Sequence, residues 1–216
     1  MTKTQKILIL GAGSFAVSIA ELAEDIPGNE VVGYVVNLPP YVRGQKLGGK
    51  PIYWIDDLDD LDRSIKAVCA LGSMKKISLI EQVTSLRFEF ANIIHPSAYV
   101  SHSVKVGDGV IISSGVQIAA NVTIGSHVIL NRGALIGHNV SIHDYAVISP
   151  GVNIASNAKI GARSQVRMGS ILVEHVHIGE GSYVGAGSLV TKDVPDHVKV
   201  VGMPAQIIER NYEERL

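Results

Sequence analysis

The chain has 216 residues, of which 46% are hydrophobic, and its formal net charge is -1 at pH 7. This length and composition give room for one or two domains with an ample core. Because no long basic run is present, nucleic acid and anionic membranes are poor candidates as partners. Without a cleavable leader pattern or an apolar stretch long enough to cross a bilayer, we expect a cytoplasmic soluble protein. The single cysteine, Cys69, lies in an apolar run and is expected to be a buried thiol.

The N-terminal region opens with an apolar run, residues 6–10 (KILIL), that ends at Gly11-Ala12-Gly13. A helical segment follows from residue 14 to about residue 25. Strand, glycine turn and helix are the opening of a nucleotide-binding α/β unit, with Ala16 at the position of the third glycine. The same glycine turn also occurs as a plain strand-to-helix connection, so both interpretations stay open.

The rest of this region alternates apolar runs with helical segments. Strands are predicted at 31–36, 51–55, 65–71 and 90–94, an acidic helical turn at 56–63, and a helix at 74–85. This alternation predicts a small parallel sheet over residues 1–94, and ligands in such folds bind in the crevice at the carboxyl ends of the strands. The predicted crevice residues are Gly11, Gly13, Ser14, Phe15, Val36, Asn37 and Gly72.

Residues 100–194 carry a strict six-residue repeat. A branched aliphatic residue or Leu occupies Val100, Val106, Ile112, Ile118, Ile124, Leu130, Ile136, Ile142, Ile148, Ile154, Ile160, Val166, Leu172, Ile178, Val184 and Val190, and a second small or branched residue follows four positions after each. A period of six fits neither an amphipathic helix nor an alternating strand.

This period is typical of a hexapeptide-repeat parallel β-helix, in which three units close one coil of eighteen residues and about five coils stack here. The aliphatic residue should point inward and stack on its counterpart one coil above, while the small residue fits the corner. Glycines that follow the aliphatic position are expected to supply unusual backbone angles at the turns, namely Gly107, Gly125, Gly137, Gly161, Gly179 and Gly185.

The junction and the end of the repeats bound two predicted domains, 1–94 and 95–216. His95-Pro96-Ser97-Ala98 leads into the repeats, which stop at Pro195, and Gly202-Met203-Pro204-Ala205 leads into a charged tail, 207–216. An open β-helix end exposes unpaired strand edges, so this tail could be a short helix that caps the last coil.

The α/β region, the Ile-His-Pro-Ser-Ala junction, the repeats and the Gly-x-Pro-Ala end together resemble hexapeptide acyltransferases of the sialic acid O-acetyltransferase type. That family includes bacterial N-acetyltransferases that act on nucleotide-linked 4-amino-4,6-dideoxy sugars for surface glycans. The resemblance implies a Rossmann-like domain followed by a left-handed parallel β-helix, and a homotrimer with active sites between neighbouring β-helices. It also implies acetyl-CoA as acyl donor in the groove between subunits, a nucleotide-linked amino sugar held by the first domain, and no metal.

The most specific part of the resemblance is the segment 131–138 (NRGALIGH), similar to the family's Asn-Thr-Gly-Ala-x-Ile-x-His. His138 therefore matches the general base. An amine must lose a proton as it attacks a thioester, and an imidazole is a suitable acceptor near neutral pH. Many members follow this histidine with Glu or Asp, whereas here Asn139 would support or orient His138 and leave it a weaker base.

The resemblance also assigns the cofactor and sugar contacts. The positions matched to CoA contacts are Val147, Gly151, Ala155, Met168, Ala186, Gly202 and Pro204, with Val147 standing where some members have histidine. In the sugar domain, Ser14-Phe15 stand where the glycine turn is usually followed by histidine, and Val36-Asn37 replace two acidic residues that hold the nucleotide. The sugar, the nucleotide, and the choice between N- and O-acetylation of a sugar therefore stay open.

Two other classes of protein are also open. His102, His138 and His143 have the spacing of the metal-binding histidines of γ-class carbonic anhydrases. His102 and His138 would lie two coils apart, roughly 9.6 Å, so one chain alone cannot place both on one metal. The other class is a non-catalytic trimeric binding protein, consistent with Asn139 and with the replaced acidic residues. Zinc content and CoA release would separate these classes from an acetyltransferase.

Overall fold

The computed structural model describes residues 4–213, which form two compact units, one up to Pro96 and one from Ser97 onward. The first unit contains a five-stranded sheet in the order β3-β4-β2-β1-β5. Its elements are β1 (Gln5–Leu10), α1 (Ser14–Glu24), β2 (Asn29–Val36), β3 (Lys46–Leu47), β4 (Lys50–Trp54), a 3-10 helix (Ile55–Asp60), β5 (Lys66–Cys69) and α2 (Lys76–Ser85).

Strand β1 is the centre of this sheet and pairs in parallel with both β2 and β5, while β2 pairs in parallel with β4. The short pair β3 and β4 is antiparallel. The last four residues of β1 are fully buried, as expected for a parallel strand covered on both faces. Helix α1 buries Ala16, Ile19, Ala20 and Ala23, which lie on the face of the helix that packs on the sheet.

Two predictions for this unit need correction. The strand predicted at 90–94 is reduced to β6 (Ile93–Ile94), and Phe90 contributes only an isolated bridge to Ala67. The acidic segment forms a 3-10 helix that starts one residue earlier and ends at Asp60. At its start, the Asp57 carboxylate accepts a 3.1 Å bond from the Trp54 N–H.

The expected buried thiol is confirmed: Cys69 is 3% exposed, and burial raises its pKa to about 11.

The second unit is a parallel β-helix in which each coil gives one two-residue strand to each of three faces. Face A contains β7 (Tyr99–Val100), β10 (Gln117–Ile118), β13 (Leu135–Ile136), β16 (Asn153–Ile154), β19 (Ile171–Leu172) and β22 (Leu189–Val190). Face B contains β8 (Lys105–Val106), β11 (Thr123–Ile124), β14 (Ser141–Ile142), β17 (Lys159–Ile160) and β20 (His177–Ile178). Face C contains β9 (Ile111–Ile112), β12 (Ile129–Leu130), β15 (Val147–Ile148), β18 (Gln165–Val166), β21 (Tyr183–Val184), β23 (Val198–Val201) and β24 (Gln206–Arg210).

The strand register confirms the predicted coil of eighteen residues. Ile118 pairs with Ile136, and Ile136 pairs with Ile154 one coil further on; all three are at most 3% exposed. Most of the small residues at the corners are buried too, and the serines among them hydrogen-bond to backbone groups. The Ser164 hydroxyl, for example, donates a 2.7 Å bond to the Gly161 carbonyl. The inward column of each face therefore forms a continuous apolar core.

The three corners are named by the faces they join: the AB corner (for example 137–140), the BC corner (for example 161–164) and the CA corner (for example 149–152). The prediction that the glycine after the aliphatic position supplies an unusual φ is wrong. The left-handed residue lies two positions later, as at Asn139 with φ 58°. Gly137 and Gly161 are needed because a Cβ there would lie 2.7 and 2.6 Å from the backbone nitrogen of the next coil.

The predicted capping helix in the tail is also wrong. Strand β23 continues face C by pairing in parallel with β21, and the chain then turns back so that β24 pairs antiparallel with β23. The open edge of face C is thus covered by a hairpin, which satisfies its backbone groups directly. Residues 214–216 of the predicted tail lie outside the described residues. None of the helices within residues 4–213 has the length and hydrophobicity required to span a bilayer.

Candidate active site

His138 lies in the AB corner with its side chain exposed, between the buried Ile136 and Val140. Its corner is fixed by hydrogen bonds to both adjacent coils. The Asn139 N–H donates to the Ala120 carbonyl at 3.0 Å, and the Asn157 N–H donates to the His138 carbonyl at 3.0 Å. The imidazole is therefore presented to solvent from a rigid backbone, which suits a group that must meet a reacting atom.

The ring of His138 lies within hydrogen-bond distance of the Asn139 carboxamide, at 3.0 Å from Nδ1 to Nδ2. The Asn139 carboxamide continues in both directions along the corner: it accepts from Asn121 Nδ2 at 3.2 Å and donates to Asn157 Oδ1 at 3.2 Å. These three asparagines occupy the left-handed position of successive coils, a backbone conformation that asparagine tolerates well. Sequence reasoning singled out Asn139 but missed its two neighbours, which the eighteen-residue period could have indicated.

Several residues predicted to contact CoA fall in a different corner. Gly151, Met168 and Ala186 belong to the CA corner, in successive coils. Gly202 and Pro204 lie in the turn between β23 and β24, where the Gly202 carbonyl accepts a 3.0 Å bond from the Leu189 N–H at the end of this corner. Met168 is 59% exposed and the backbone of this corner repeats regularly, with Gly151, Gly169 and Gly187 each at φ 66 to 67°. Successive coils are spaced by about 4.8 Å, so these residues form a column along the axis of the helix.

Two predicted CoA contacts lie elsewhere. Val147 is in β15 on face C and is 3% exposed, so its side chain offers almost no surface to a ligand. Ala155 is half-buried in the AB corner, one coil beyond His138. Both positions matched the family pattern in the sequence, but in the three-sided coil Val147 lies on face C and Ala155 in the AB corner.

Face A separates the His138 corner from the CA corner, and its outward side is largely apolar. Tyr99, Leu135 and Ile171 are 64%, 42% and 41% exposed, and they line a shallow cavity of about 400 Å³ together with Gln117 and Asn153. These outward residues were not predicted as functional. Their signal in the sequence is an apolar residue directly before the inward position of the repeat.

The first unit has its own cavity, of about 810 Å³, at the carboxyl ends of β1, β2 and β5. Gly11, Gly13, Val36 and Asn37 line it, whereas Ser14, Phe15 and Gly72 do not. Ser14 instead begins helix α1, where its carbonyl accepts a 3.3 Å bond from the Ser18 hydroxyl.

Several residues that sequence reasoning missed complete this cavity. Tyr41, from the loop after β2, donates its hydroxyl to the Ala12 carbonyl at 2.9 Å, and Asn37 Nδ2 donates to Gln82 Oε1 at 3.0 Å. Ser73 and the exposed Lys75 line the cavity near the start of α2. Lys75 is the residue directly before α2.

Within residues 4–213 no group of three His, Cys, Asp or Glu side chains is arranged to hold a metal ion. His102 and His138 both lie in the AB corner but two coils apart, and His143 lies in the BC corner.

Comparison with known proteins places these features in one class, acyltransferases with hexapeptide repeats. Residues 157–192 match the family described as bacterial transferase hexapeptide (six repeats). A segment of 31 residues is 55% identical to the serine acetyltransferase of Bacillus pumilus, and the match covers 14% of this chain and 14% of that relative.

Two solved structures resemble the chain over nearly its whole length. A perosamine N-acetyltransferase variant from Caulobacter crescentus, in complex with CoA and GDP-perosamine, is 28% identical with a TM-score of 0.86, covering 94% of this chain and 97% of that one. The acetyltransferase domain of PglB from Neisseria gonorrhoeae, in complex with acetyl coenzyme A, is 27% identical with a TM-score of 0.86, covering 95% and 100%. The resemblance predicted from the sequence, and with it the enzyme class, is confirmed.

Proposed function

We propose that the protein is an acetyl-CoA-dependent acetyltransferase that acetylates the amine of a nucleotide-linked amino sugar. The observation that carries the proposal is the whole-length similarity to a perosamine N-acetyltransferase that binds CoA and GDP-perosamine. That similarity covers both the α/β unit and the β-helix, so it includes the cavity of the first unit and the corners of the second. A likeness confined to the repeats would support only a β-helix.

His138 is the proposed general base. The amine nitrogen attacks the carbonyl carbon of the thioester, the carbon–sulfur bond breaks, CoA leaves, and the proton lost by the amine passes to the imidazole. The proposal is supported by the exposure of His138, its rigid backbone and its contact with Asn139. No covalent acyl-enzyme is required, and Cys69, buried and held as a thiol, is unsuited to form one.

The active site is proposed to form between copies in a homotrimer. If three copies turn face A toward a common axis, the AB corner of each copy meets the CA corner of the next, as a cyclic head-to-tail interface requires. His138 of one copy would then lie beside the CA column of its neighbour. Acetyl-CoA would run along that column, past Gly151, Met168 and Ala186 toward Gly202. The exposed apolar side of face A supports this arrangement.

The cavity of the first unit is proposed to hold the nucleotide of the acceptor. Lys75 offers an ammonium group to a diphosphate, and the carboxamides of Asn37 and Gln82 offer donors and acceptors to a base or ribose. Val36-Asn37 stand where relatives commonly carry two carboxylates, so we expect a hydroxyl or base to be recognised here by neutral hydrogen bonds.

The test is replacement of His138 by alanine, with CoA release measured on GDP-, UDP- and dTDP-linked amino sugars. We expect the rate to fall by about 100-fold or more, the usual contribution of a general base, while light scattering shows an unchanged trimer. His175→Asn is the matched control, because His175 is an exposed histidine in the same corner, two coils away.

A near-normal rate in the alanine variant would remove His138 from the mechanism. A product acetylated on oxygen, identified by mass spectrometry after mild base treatment, would instead assign the protein to sugar O-acetylation.

A further inference from the structure

The three corner asparagines form a ladder of hydrogen bonds, and its middle member, Asn139, contacts the imidazole of His138. Asn121 donates to Asn139, and Asn139 donates to Asn157, with both nitrogen–oxygen distances at 3.2 Å. The Asn139 amide nitrogen also lies 3.0 Å from His138 Nδ1, within hydrogen-bond distance. The carboxamide of Asn139 is thus within hydrogen-bond distance of three side chains, those of Asn121, Asn157 and His138.

The direction of this ladder decides which ring nitrogen of His138 carries the proton. An amide nitrogen can only donate, so in the direction described Nδ1 of His138 accepts and the neutral ring has its proton on Nε2. In the reverse direction each carboxamide is rotated by about 180°, and the Asn139 oxygen accepts a hydrogen bond from Nδ1–H of His138. Nε2 then has a free lone pair.

The three carboxamides must turn together. If Asn139 turned alone, its oxygen would face the oxygen of Asn157 and its amide would face the amide of Asn121, and both hydrogen bonds would be lost. Side chains one coil apart on a β-helix are held in register by the backbone, so the ladder behaves as one unit with two states.

We infer that Asn121 and Asn157 are positioning residues for His138, and that acetyl transfer proceeds when the ladder runs in the reverse direction. This inference rests on His138 being the base of the proposed function. Nδ1 is covered by Asn139, so Nε2 is the nitrogen left to take the proton of the amine. It can do so only when the ladder places the ring proton on Nδ1.

A matched pair of substitutions tests the direction, Asn121→Asp and Asn157→Asp. A carboxylate only accepts hydrogen bonds. Asp at position 121 forces the Asn139 amide to point toward it, which turns the Asn139 oxygen to His138. Asp at position 157 forces the Asn139 amide toward itself and toward His138 Nδ1. Aspartate also tolerates the left-handed backbone of both sites, so neither change adds strain.

The expected effects have opposite signs. At about pH 8, where a free imidazole is neutral, Asn121→Asp should raise kcat by roughly threefold or more because a larger fraction of the protein holds the competent tautomer. Asn157→Asp should lower kcat by about 10-fold or more, and KM for acetyl-CoA should not change in either variant. Both carboxylates lie one coil from Asn139, so a simple charge effect or a structural role would move the two variants in the same direction.

Nitrogen-15 spectra of labelled histidine give a readout that does not depend on turnover. The signal of His138, assigned by its absence in His138→Ala, should show an unprotonated Nε2 in Asn121→Asp and an unprotonated Nδ1 in Asn157→Asp. The same tautomer in both variants, or changes in kcat of the same sign, would overturn the inference. If His138→Ala kept its rate, His138 would not be the base. The effect of the ladder on the His138 tautomer would still be tested separately by the spectra.

A third variant, Asn139→Asp, tests the same inference if Asn121→Asp or Asn157→Asp folds poorly. Asn139→Asp places an acceptor directly beside Nδ1 and can receive hydrogen bonds from both neighbouring asparagines. It should fix the proton on Nδ1, as in Asn121→Asp. A proton on Nε2 in this variant would also overturn the inference.

Discussion

Faces A and B of the β-helix are built from the same repeat and differ almost entirely in their outward residues. Their inward columns are both aliphatic, and Ile136 on face A and Ile142 on face B are 3% and 2% exposed. The outward positions of face B are Lys105, Thr123, Ser141, Lys159 and His177, whereas face A presents Tyr99, Gln117, Leu135, Asn153, Ile171 and Leu189.

Each six-residue unit therefore has two roles: its inward and corner residues form the coil, and its outward residue determines the surface of the face. The inward residue and the corner residue build the coil and are interchangeable between faces. The outward residue decides what the face meets, water for face B and, in our proposal, the other copies for face A. The two faces also share the AB corner, so His138 stands between an exposed polar face and an apolar one.

The largest expected effect comes from breaking face A. Leu135→Glu combined with Ile171→Glu places unpaired charges in the proposed interface, and desolvating them would be costly. We expect dissociation to monomers in light scattering and a fall in rate of about 100-fold or more, since His138 and the CA column would no longer be held together. The matched control is Ser141→Glu with His177→Glu, which makes the same changes six residues later, on face B. A trimer with full activity in the face A variant would refute the proposed assembly.

A second experiment tests whether the inward columns are equivalent. Ile136→Ala and Ile142→Ala each remove a buried side chain, and each should lower the free energy of unfolding by about 2–5 kcal/mol. Denaturant unfolding at one protein concentration gives both values. A loss confined to Ile136→Ala would mean that stability depends on face A as a whole rather than on inward packing.

The smallest expected effect compares two corner glycines. A Cβ on Gly137 or on Gly161 would crowd backbone atoms of the next coil, so each alanine variant should lose about 1–3 kcal/mol of stability. Only Gly137 precedes His138, so only Gly137→Ala should also reduce kcat. Thermal unfolding and CoA release measured on the same samples check both expectations; an equal loss of rate in Gly161→Ala would show a general effect of instability.

Much of the β-helix was predictable because its signal is periodic. The inward columns and the coil of eighteen residues were predicted from spacing, and the fold confirms both. The motif ending at His138 was predicted from its resemblance to a family segment. Non-periodic segments were predicted less well. The tail forms β24 rather than a helix, because an unpaired strand edge on β23 was available for it to pair with.

The cavity of the first unit shows the same limit. The glycine turn after β1 and the end of β2 were predicted from the order of strands, and they line the cavity. Tyr41 and Gln82 were not, since they come from a loop and a helix that only packing brings to the ends of those strands. Ser14 was predicted to line it but is the first residue of α1, outside the lining.

By itself the sequence determined the repeat and its inward columns, because these depend on spacing along one chain. The prediction of His138 came instead from the resemblance of residues 131–138 to a family motif. Only the tertiary structure decided which corner each residue occupies. It placed the predicted cofactor contacts in two corners, on face C and in the turn between β23 and β24, and it stacked Asn121, Asn139 and Asn157 beside His138. The physical reason is that residues eighteen apart in the chain become neighbours at about 4.8 Å only once the coil has closed.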